Sequence, residues 1–411
     1  MIIEEEALLY LLNRAITKEK SNIIPNLNIN WNQVFQMACR NKVAPLLFDQ
    51  LTQINQQQPI EDSLFESWRQ RALQCTLREY RKNYALKSLL ELAKEKDIML
   101  TVFKGPILAN LYPNYALRPS SDTDILIQKE DTAILFQILE QLEYERKEKS
   151  EKNVYTYVNH RYGHILELHT TLYGEHTGPK IDRLMEMNLA SRESLQEIVA
   201  CGTKLTTLGF TEQLIYLMFH MIKHFMLEGI TIRHLLDIVI YINAYIDIID
   251  RKQFWSGMRE LSYESCCTAF FSIGIKYLGL TNIIMEEEKL CESAVVENLL
   301  MDIIGAGETN HTEKKSFQIW GMMQPYLVGS MNKRQTTKSN YMYFFKPDRK
   351  EYAYARKYKI LLPIYWIHKF VVYIKKGYLF DKRIYSPLEK VKKAENRLDL
   401  FEEIGLLYKG D

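Results

Sequence analysis

The sequence predicts an α+β chain in which a small mixed sheet with its own helices is flanked by mainly α-helical N- and C-terminal regions. Three observations predict it. Helical periodicity runs from the start to about residue 95. At Asp97 the period changes, and the apolar runs up to about residue 175 have strand length, with turn residues between them. From about residue 180 onward the pattern is again nearly all helical. The expected organisation is a helical region at 1–95, an α/β unit at 96–180 and a helical region at 181–411. A chain of 411 residues that is 47% hydrophobic has ample apolar material for more than one core.

The first element, "MIIEEEALLYLLNRAITKEK", opens with acids where a secretory leader carries basic residues. It reads as an amphipathic helix striped by Leu8, Leu9, Leu11 and Leu12. "WNQVFQMACRNKVAPLLFDQL" places Val34, Phe35 and Ala38 at helical spacing, and Pro45 breaks the run. A polar connector at 53–63 precedes a long helix at about 63–95. "IMLTVF", 98–103, has the pattern of a buried strand. Lys104-Gly105-Pro106 then turns the chain, with Pro106 starting a helix that continues through "ILANLY" to Pro113. The loop "PNYALRPSS" leads into the strand "DTDILIQ" and a helix with Asp131 as its expected N-cap. "VYTYV", 154–158, and "HILELHT", 164–170, form a hairpin with Gly163 in its turn.

Beyond residue 180, "TEQLIYLMFHMIKHF" and "RHLLDIVIYINAYI" are the clearest helices, and 330–340 reads as a polar basic linker. "ILLPIYWIHKFVVYI", 360–374, reads as a buried or partner-facing helix, interrupted by Pro363, His368 and Lys369. No apolar run reaches the roughly 18 residues that a spanning helix needs.

Charge and cysteine usage exclude several classes of function. Lys and Arg number 53 against 51 Asp and Glu. That balance gives no global argument for nucleic acid or an anionic membrane as partner and makes nucleic acid the less expected one, while leaving room for a local basic patch. Six scattered cysteines without a CxxC pair read as the reduced thiols of a cytoplasmic protein. No GxSxG elbow is present, and His220 and His224 lack the intervening glutamate of a metalloprotease helix, because Met221 follows His220.

The chemistry concentrates in "VFKGPILANLYPNYALRPSSDTDILI", residues 102–127. Side chains alternate along a strand, so Asp122 and Asp124 point to one side, and Glu167 and His169 share a face of the later strand. Pairing of the two strands brings Glu167 beside the aspartates. Three neighbouring carboxylates repel one another unless cations neutralise them. Mg²⁺ suits oxygen ligands, and two such ions clamp an in-line phosphoryl displacement, with Mn²⁺ a substitute. Gly105 lets backbone approach a phosphate, Lys104 adds a point charge, and Arg118 offers a bidentate donor. His220, Lys223, His224, Arg233, His234 and Asp237 set polar groups into apolar helices and, with His169, are candidates for a substrate pocket.

The order strand, Lys-Gly, short helix, Arg-bearing loop, DxD strand, helix, hairpin and lone acid resembles the DNA polymerase beta-like nucleotidyltransferase superfamily. More closely it resembles a bacterial family of uncharacterised nucleotidyltransferases, in which a Lys-Gly pair, an arginine and a DxD strand stand in the order of "FKGPILANLYPNYALRPSSDTDILI". "LELHTTLY" is similar to that family's acid before a Leu-His pair, here Glu167, Leu168 and His169. "WNQVFQMACRNKVAPLLFDQL" and "FHMIKHFMLEGITIRHLLDIVIYI" resemble its flanking helices, so the likeness covers roughly residues 30–260. The resemblance implies a nucleotidyltransferase-type sheet and transfer of a nucleoside monophosphate from an NTP, ATP being the expected donor, with release of pyrophosphate. It implies Asp122, Asp124 and Glu167 as catalytic metal ligands for two Mg²⁺ ions. It also implies that Lys104, Gly105, Arg118 and Ser121 hold the nucleotide. The acceptor is a small molecule, peptide or protein. One departure is Pro106, which stands where the superfamily follows its glycine with glycine or serine, and which has no N–H to offer a phosphate. That departure sustains an alternative: a catalytically inactive nucleotidyltransferase-like module that binds a peptide or protein.

Overall fold

The period change at Asp97 marks the entry into a sheet. The computed structural model describes residues 1–17, 28–55, 60–147, 153–173, 179–227, 229–286, 290–306 and 387–407, with single positions at 323, 364, 365, 367 and 368. Its strands are β1 (Thr101–Val102), β2 (Thr123–Leu126), β3 (Glu145–Arg146), β4 (Val154–Asn159), β5 (His164–His169), β6 (Gln196–Ala200) and β7 (Thr203–Thr207). They form one mixed sheet in the order β3-β4-β5-β2-β1-β7-β6. β2 lies at its centre, antiparallel to β1 and parallel to β5. The fold is α+β with helical flanks, as the sequence predicts, and the β4–β5 hairpin falls within a residue of its expected place.

The helices are α1 (Ile3–Thr17), α2 (Trp31–Arg40), α3 (Ala44–Asn55), α4 (Asp62–Glu95), α5 (Pro106–Ala109), α6 (Thr132–Gln141), α7 (Pro179–Glu186), α8 (Phe210–Leu227), α9 (Ile232–Tyr245), α10 (Arg251–Glu260), α11 (Glu264–Tyr277), α12 (Ser293–Ala306) and α13 (Pro387–Glu403). The chain divides into two compact units, Met1–Phe225 with Gly229–His311, and Met226–Glu228 with Thr312–Asp411. The first unit carries the whole sheet, and α13 belongs to the second. The 330–340 linker lies outside the described residues, and so does all but four positions of 360–374. Among the described residues no helix is long and apolar enough to cross a membrane.

Three local expectations differ from the structure. β6 and β7 lie beyond residue 180, in the stretch read as nearly all helical. Their two-residue turn, Cys201-Gly202, has φ of 51° and 75°, the conformation of a tight hairpin normally announced by Asn-Gly or Asp-Gly. Side chains elsewhere hold the cysteine in it. Asn110 Oδ1 accepts from Cys201 N at 2.9 Å, and Asn83 Nδ2 donates to Cys201 O at 3.0 Å. That use of Asn110 accompanies the early end of α5 at Ala109, short of Pro113. Asp131 occupies the N-cap position of α6, but its backbone is already helical and its side chain makes no cap bond.

The core is built from faces that helical periodicity marks. Leu214, Met218, Ile222 and Phe225 of α8 and Leu235, Leu236 and Val239 of α9 are buried, each such side chain stabilising by roughly 1.5–3 kcal/mol. α8 is tied to the end of β1, because Gln213 Nε2 donates to Phe103 O at 2.6 Å. Trp68 of α4 is buried against Phe35, and its indole N–H donates to Ala44 O at 2.8 Å, binding α4 to α2 and α3.

Behind β2, a fully buried His164 lies 2.9 Å from Thr123 Oγ1 and 2.6 Å from Tyr144 Oη. Burial pushes its pKa down to about 3, with the charge of Lys82 adding to the effect. An unfolded histidine titrates near 6.5, so the unfolded chain takes up this proton first and stability falls as pH drops from about 6.5 towards 3. His164→Gln cannot titrate. Its stability deficit relative to wild type, measured by urea unfolding, is expected to narrow below pH 6.5 by about 1.4 kcal/mol per pH unit. An unchanged gap between pH 7 and pH 5 contradicts this assignment.

Candidate active site

β2 and β5 run parallel with Asp124 paired to Glu167, so the two carboxylates stand side by side on one face. His169, two residues further along β5, shares that face. The ligating atoms of Asp124, Glu167 and His169 lie within 4.8 Å of one another. The Asp124 side chain is 3% exposed and that of Glu167 is 32% exposed. Lys104 Nζ lies 3.1 Å from Asp124 Oδ2, while His169 Nε2 lies 3.3 Å from Asp124 Oδ1 and 3.8 Å from Glu167 Oε2.

Burial alone raises the pKa of Asp124, but the charge of Lys104 and contact with His169 outweigh it and hold the carboxyl well below its usual range. For His169, burial opposes the charged form, yet Asp124 and Glu167 prevail and lift it to about 9. Lys104 is raised in the same way, with Asp124 overcoming burial. The charges therefore match, but the alignment is poor. Asp124 Oδ2 and both ring nitrogens of His169 are buried and make no hydrogen bond. A buried carboxylate oxygen with no aligned donor is rare in proteins. Two carboxylates in register beside an imidazole are a donor set that fits a divalent cation.

Gly105 joins β1 to α5 at φ 47°, where a side chain is strained. A Cβ there would meet only Asp122 O, at 3.6 Å, so the dihedral requires glycine and the space does not. α5 has Pro106 at its first position, which supplies no N–H.

Arg118, expected on a phosphate, is buried and committed elsewhere. Its Nε and Nη2 donate to Asp237 Oδ1 and Oδ2 at 2.7 and 2.8 Å, and Nη1 donates to Gly105 O at 3.4 Å. Asp237 also accepts from Tyr112 Oη at 2.7 Å and from Arg233 Nη1 at 2.9 Å. The loop before β2 is fastened from α4. Lys82 donates to Ser120 O, and Glu79 accepts from Ser120 N at 3.2 Å and from Ser120 Oγ at 2.9 Å.

The structure thus brings together Asp124, Glu167, His169 and Lys104. Asp122 is half-buried two residues before Asp124 and stands outside the group of converging ligand atoms, and Ser121 is exposed. His220 lies 5.7 Å from the Tyr216 ring and 4.4 Å from that of His224, and burial keeps it neutral. Lys223 and His224 are half-buried on α8. Phe103 lies between α8 and β5, its ring 5.1 Å from Tyr216 and 5.3 Å from His169.

Sequence reasoning missed Glu79 and Lys82. They were detectable: the buried stripe of α4 runs Trp68, Ala72, Cys75, Glu79, Lys82, Leu86, Leu89, Ala93 at alternating spacings of four and three. Two opposite charges at apolar positions of one stripe imply a buried pair with a further partner.

The family model of the uncharacterised nucleotidyltransferases matches residues 28–273, and the chain belongs to that family. No curated protein and no solved structure matches it.

Asp237 holds two buried guanidinium groups, so Asp237→Asn leaves both without their carboxylate. The variant is expected to lose about 3–5 kcal/mol of stability in chemical denaturation. A loss below about 1 kcal/mol would mean that solvent reaches this cluster.

Proposed function

We propose that this chain catalyses Mg²⁺-dependent transfer of a nucleoside monophosphate from an NTP, ATP being the expected donor, to an acceptor nucleophile. Family membership supports nucleotidyl transfer as the reaction class. The observation that carries the finer reading is the in-register Asp124–Glu167 pair with the orphaned Asp124 Oδ2.

Asp124 and Glu167 would hold the ion, and Asp122, two residues before Asp124, is the further carboxylate proposed for it. A bound Mg²⁺ supplies charge neutralisation at the phosphoryl group. Mn²⁺ is the substitute that tolerates His169 as a ligand. The acceptor oxygen forms a bond to the α-phosphorus, the bridging bond to the β-phosphate breaks, and pyrophosphate leaves. Glu167, the more exposed carboxylate, receives the acceptor proton. Lys104 supplies a cation beside the transferring group, and the Gly105 turn lets backbone come close to phosphate. Arg118 acts through Gly105 O and fixes that turn, without itself touching nucleotide. His169, 3.3 Å from Asp124 and 3.8 Å from Glu167, supplies positive charge beside both carboxylates. The half-buried polar face of α8, with His220, Lys223 and His224, faces the acceptor, a small molecule, peptide or protein. A cytoplasmic setting is part of the reading and fits the six free thiols.

Two observations favour the second reading, a quiet binding module. Lys104 Nζ already neutralises Asp124, and Pro106 offers no N–H. Calorimetry with a non-hydrolysable ATP analogue separates the two. Wild type is expected to bind at least tenfold more tightly with Mg²⁺ than without it, and Asp124→Asn is expected to abolish that dependence. Equal binding with and without Mg²⁺, or a dependence that survives in Asp124→Asn, overturns the catalytic reading.

A further inference from the structure

Lys42 occupies a position where glycine is the cheaper residue. α2 ends in a left-handed cap: Lys42 has φ 59°, and Val43 N donates back to Ala38 O at 2.9 Å. This closing geometry normally selects glycine, which has no Cβ to strain. A lysine held there is a candidate for a role that its side chain alone can fill.

The position is also braced from outside the turn. Asn41 is fully buried, with Nδ2 donating to Met37 O at 3.1 Å and to Ile304 O at 3.2 Å. Its Oδ1 accepts from Ile232 N at 3.0 Å, which bolts the end of α2 to the first turn of α9. The next residue of α9 is Arg233, whose side chain is 10% exposed. One Arg233 nitrogen donates to Asp237 and another lies 3.3 Å from His234 Nε2, but Nε is buried with no partner. Arg118 already bonds both oxygens of Asp237, so the two arginines share one bonded carboxylate and Arg233 keeps an unused donor. Buried groups in that state call for an anion.

The neighbouring charges agree. Lys42 is exposed as a residue, and its ammonium is pushed down by desolvation and then by Arg233, while Asp122 pulls the other way. Arg78 and Arg118 act on it in the same sense as Arg233.

We propose that Lys42 and Arg233 form an anion subsite beside the carboxylate cluster that takes a phosphate group of a reactant. The N-terminal helices thereby contribute a binding residue to the sheet-borne site. The phosphate belongs either to the tail of the donor nucleotide or to the acceptor. This inference rests on the nucleotidyl-transfer reading for the identity of the reactant, but not for the presence of the subsite.

The test is calorimetric titration of the full chain with inorganic tripolyphosphate and with inorganic phosphate, both without metal. Lys42→Gly removes the charge and relieves the backbone, so it is expected to melt at or above the wild-type temperature. It is also expected to bind tripolyphosphate roughly ten- to a hundredfold more weakly, and Lys42→Arg is expected to restore binding. A structural role alone would move stability and leave binding untouched. Repeating the titration with the Mg²⁺–nucleotide analogue bound assigns the source: competition places the donor's tail in the subsite, whereas undiminished phosphate binding places the acceptor's. Tripolyphosphate binding by Lys42→Gly within twofold of wild type, or no binding by wild type, overturns the proposal. Mg²⁺-dependent analogue binding that requires Asp124 would survive either result, so the two readings fail separately.

Discussion

The burial of Asp124 is the constraint on which the site depends. A carboxylate removed from water is costly unless charge and hydrogen bonds replace the lost solvation. Here the replacement comes from three directions. β1 delivers Lys104 at its C-terminal end, β5 delivers Glu167 in register and His169 two residues later, and Phe103 and Tyr216 close the apolar wall. Each supplier is fixed by the sheet: slipping β2 by one residue against β5 would turn Asp124 to the opposite face, where Thr123 meets His164. The arrangement supplies enough positive charge to keep Asp124 ionised while leaving one of its oxygens without an aligned donor. That combination favours a site poised for a cation over a closed salt bridge.

A second buried charge cluster holds the first in place. Asp237 of α9 accepts four hydrogen bonds, from Tyr112, Arg118 and Arg233, and Arg118 passes a fifth contact to Gly105. The glycine turn is thereby fixed by a helix more than a hundred residues later in the chain. Glu79 and Lys82 of α4 clamp Ser120 at the entrance to β2. The loop carrying Arg118 and the DxD run is therefore held by α4 and α9 together. α4, α9 and the sheet accordingly fall in one compact unit.

Much of this was legible in the sequence, for identifiable reasons. The α4 helix, the DxD strand and the β4–β5 hairpin follow from period and turn chemistry, and the shared face of Glu167 and His169 follows from simple alternation. Pairing of β2 with β5 is non-local, so the sequence offers it only as a condition, and nothing local marks its parallel sense. The β6–β7 hairpin escaped because Cys201 is not a residue that announces a left-handed turn; distant Asn83 and Asn110 hold it there. The type of Arg118 points to a phosphate ligand because sequence shows what a side chain is and not what it pairs with. The partner, Asp237, was itself read as a pocket residue, and a pairing across 119 positions leaves no local mark. Lys42 carried no signal at all, since its meaning lies in a backbone angle.

The most direct test of the account is where a divalent ion lands. A crystal of the full chain soaked with Mn²⁺ and a non-hydrolysable ATP analogue, measured at the manganese edge, reports this in one anomalous map. The account predicts a peak within coordination distance of Asp124 and Glu167 carboxylate oxygens, with Lys104 Nζ moved off Asp124 Oδ2. Nucleotide bound with no peak at that pair, and with Lys104 still on Asp124, would contradict it.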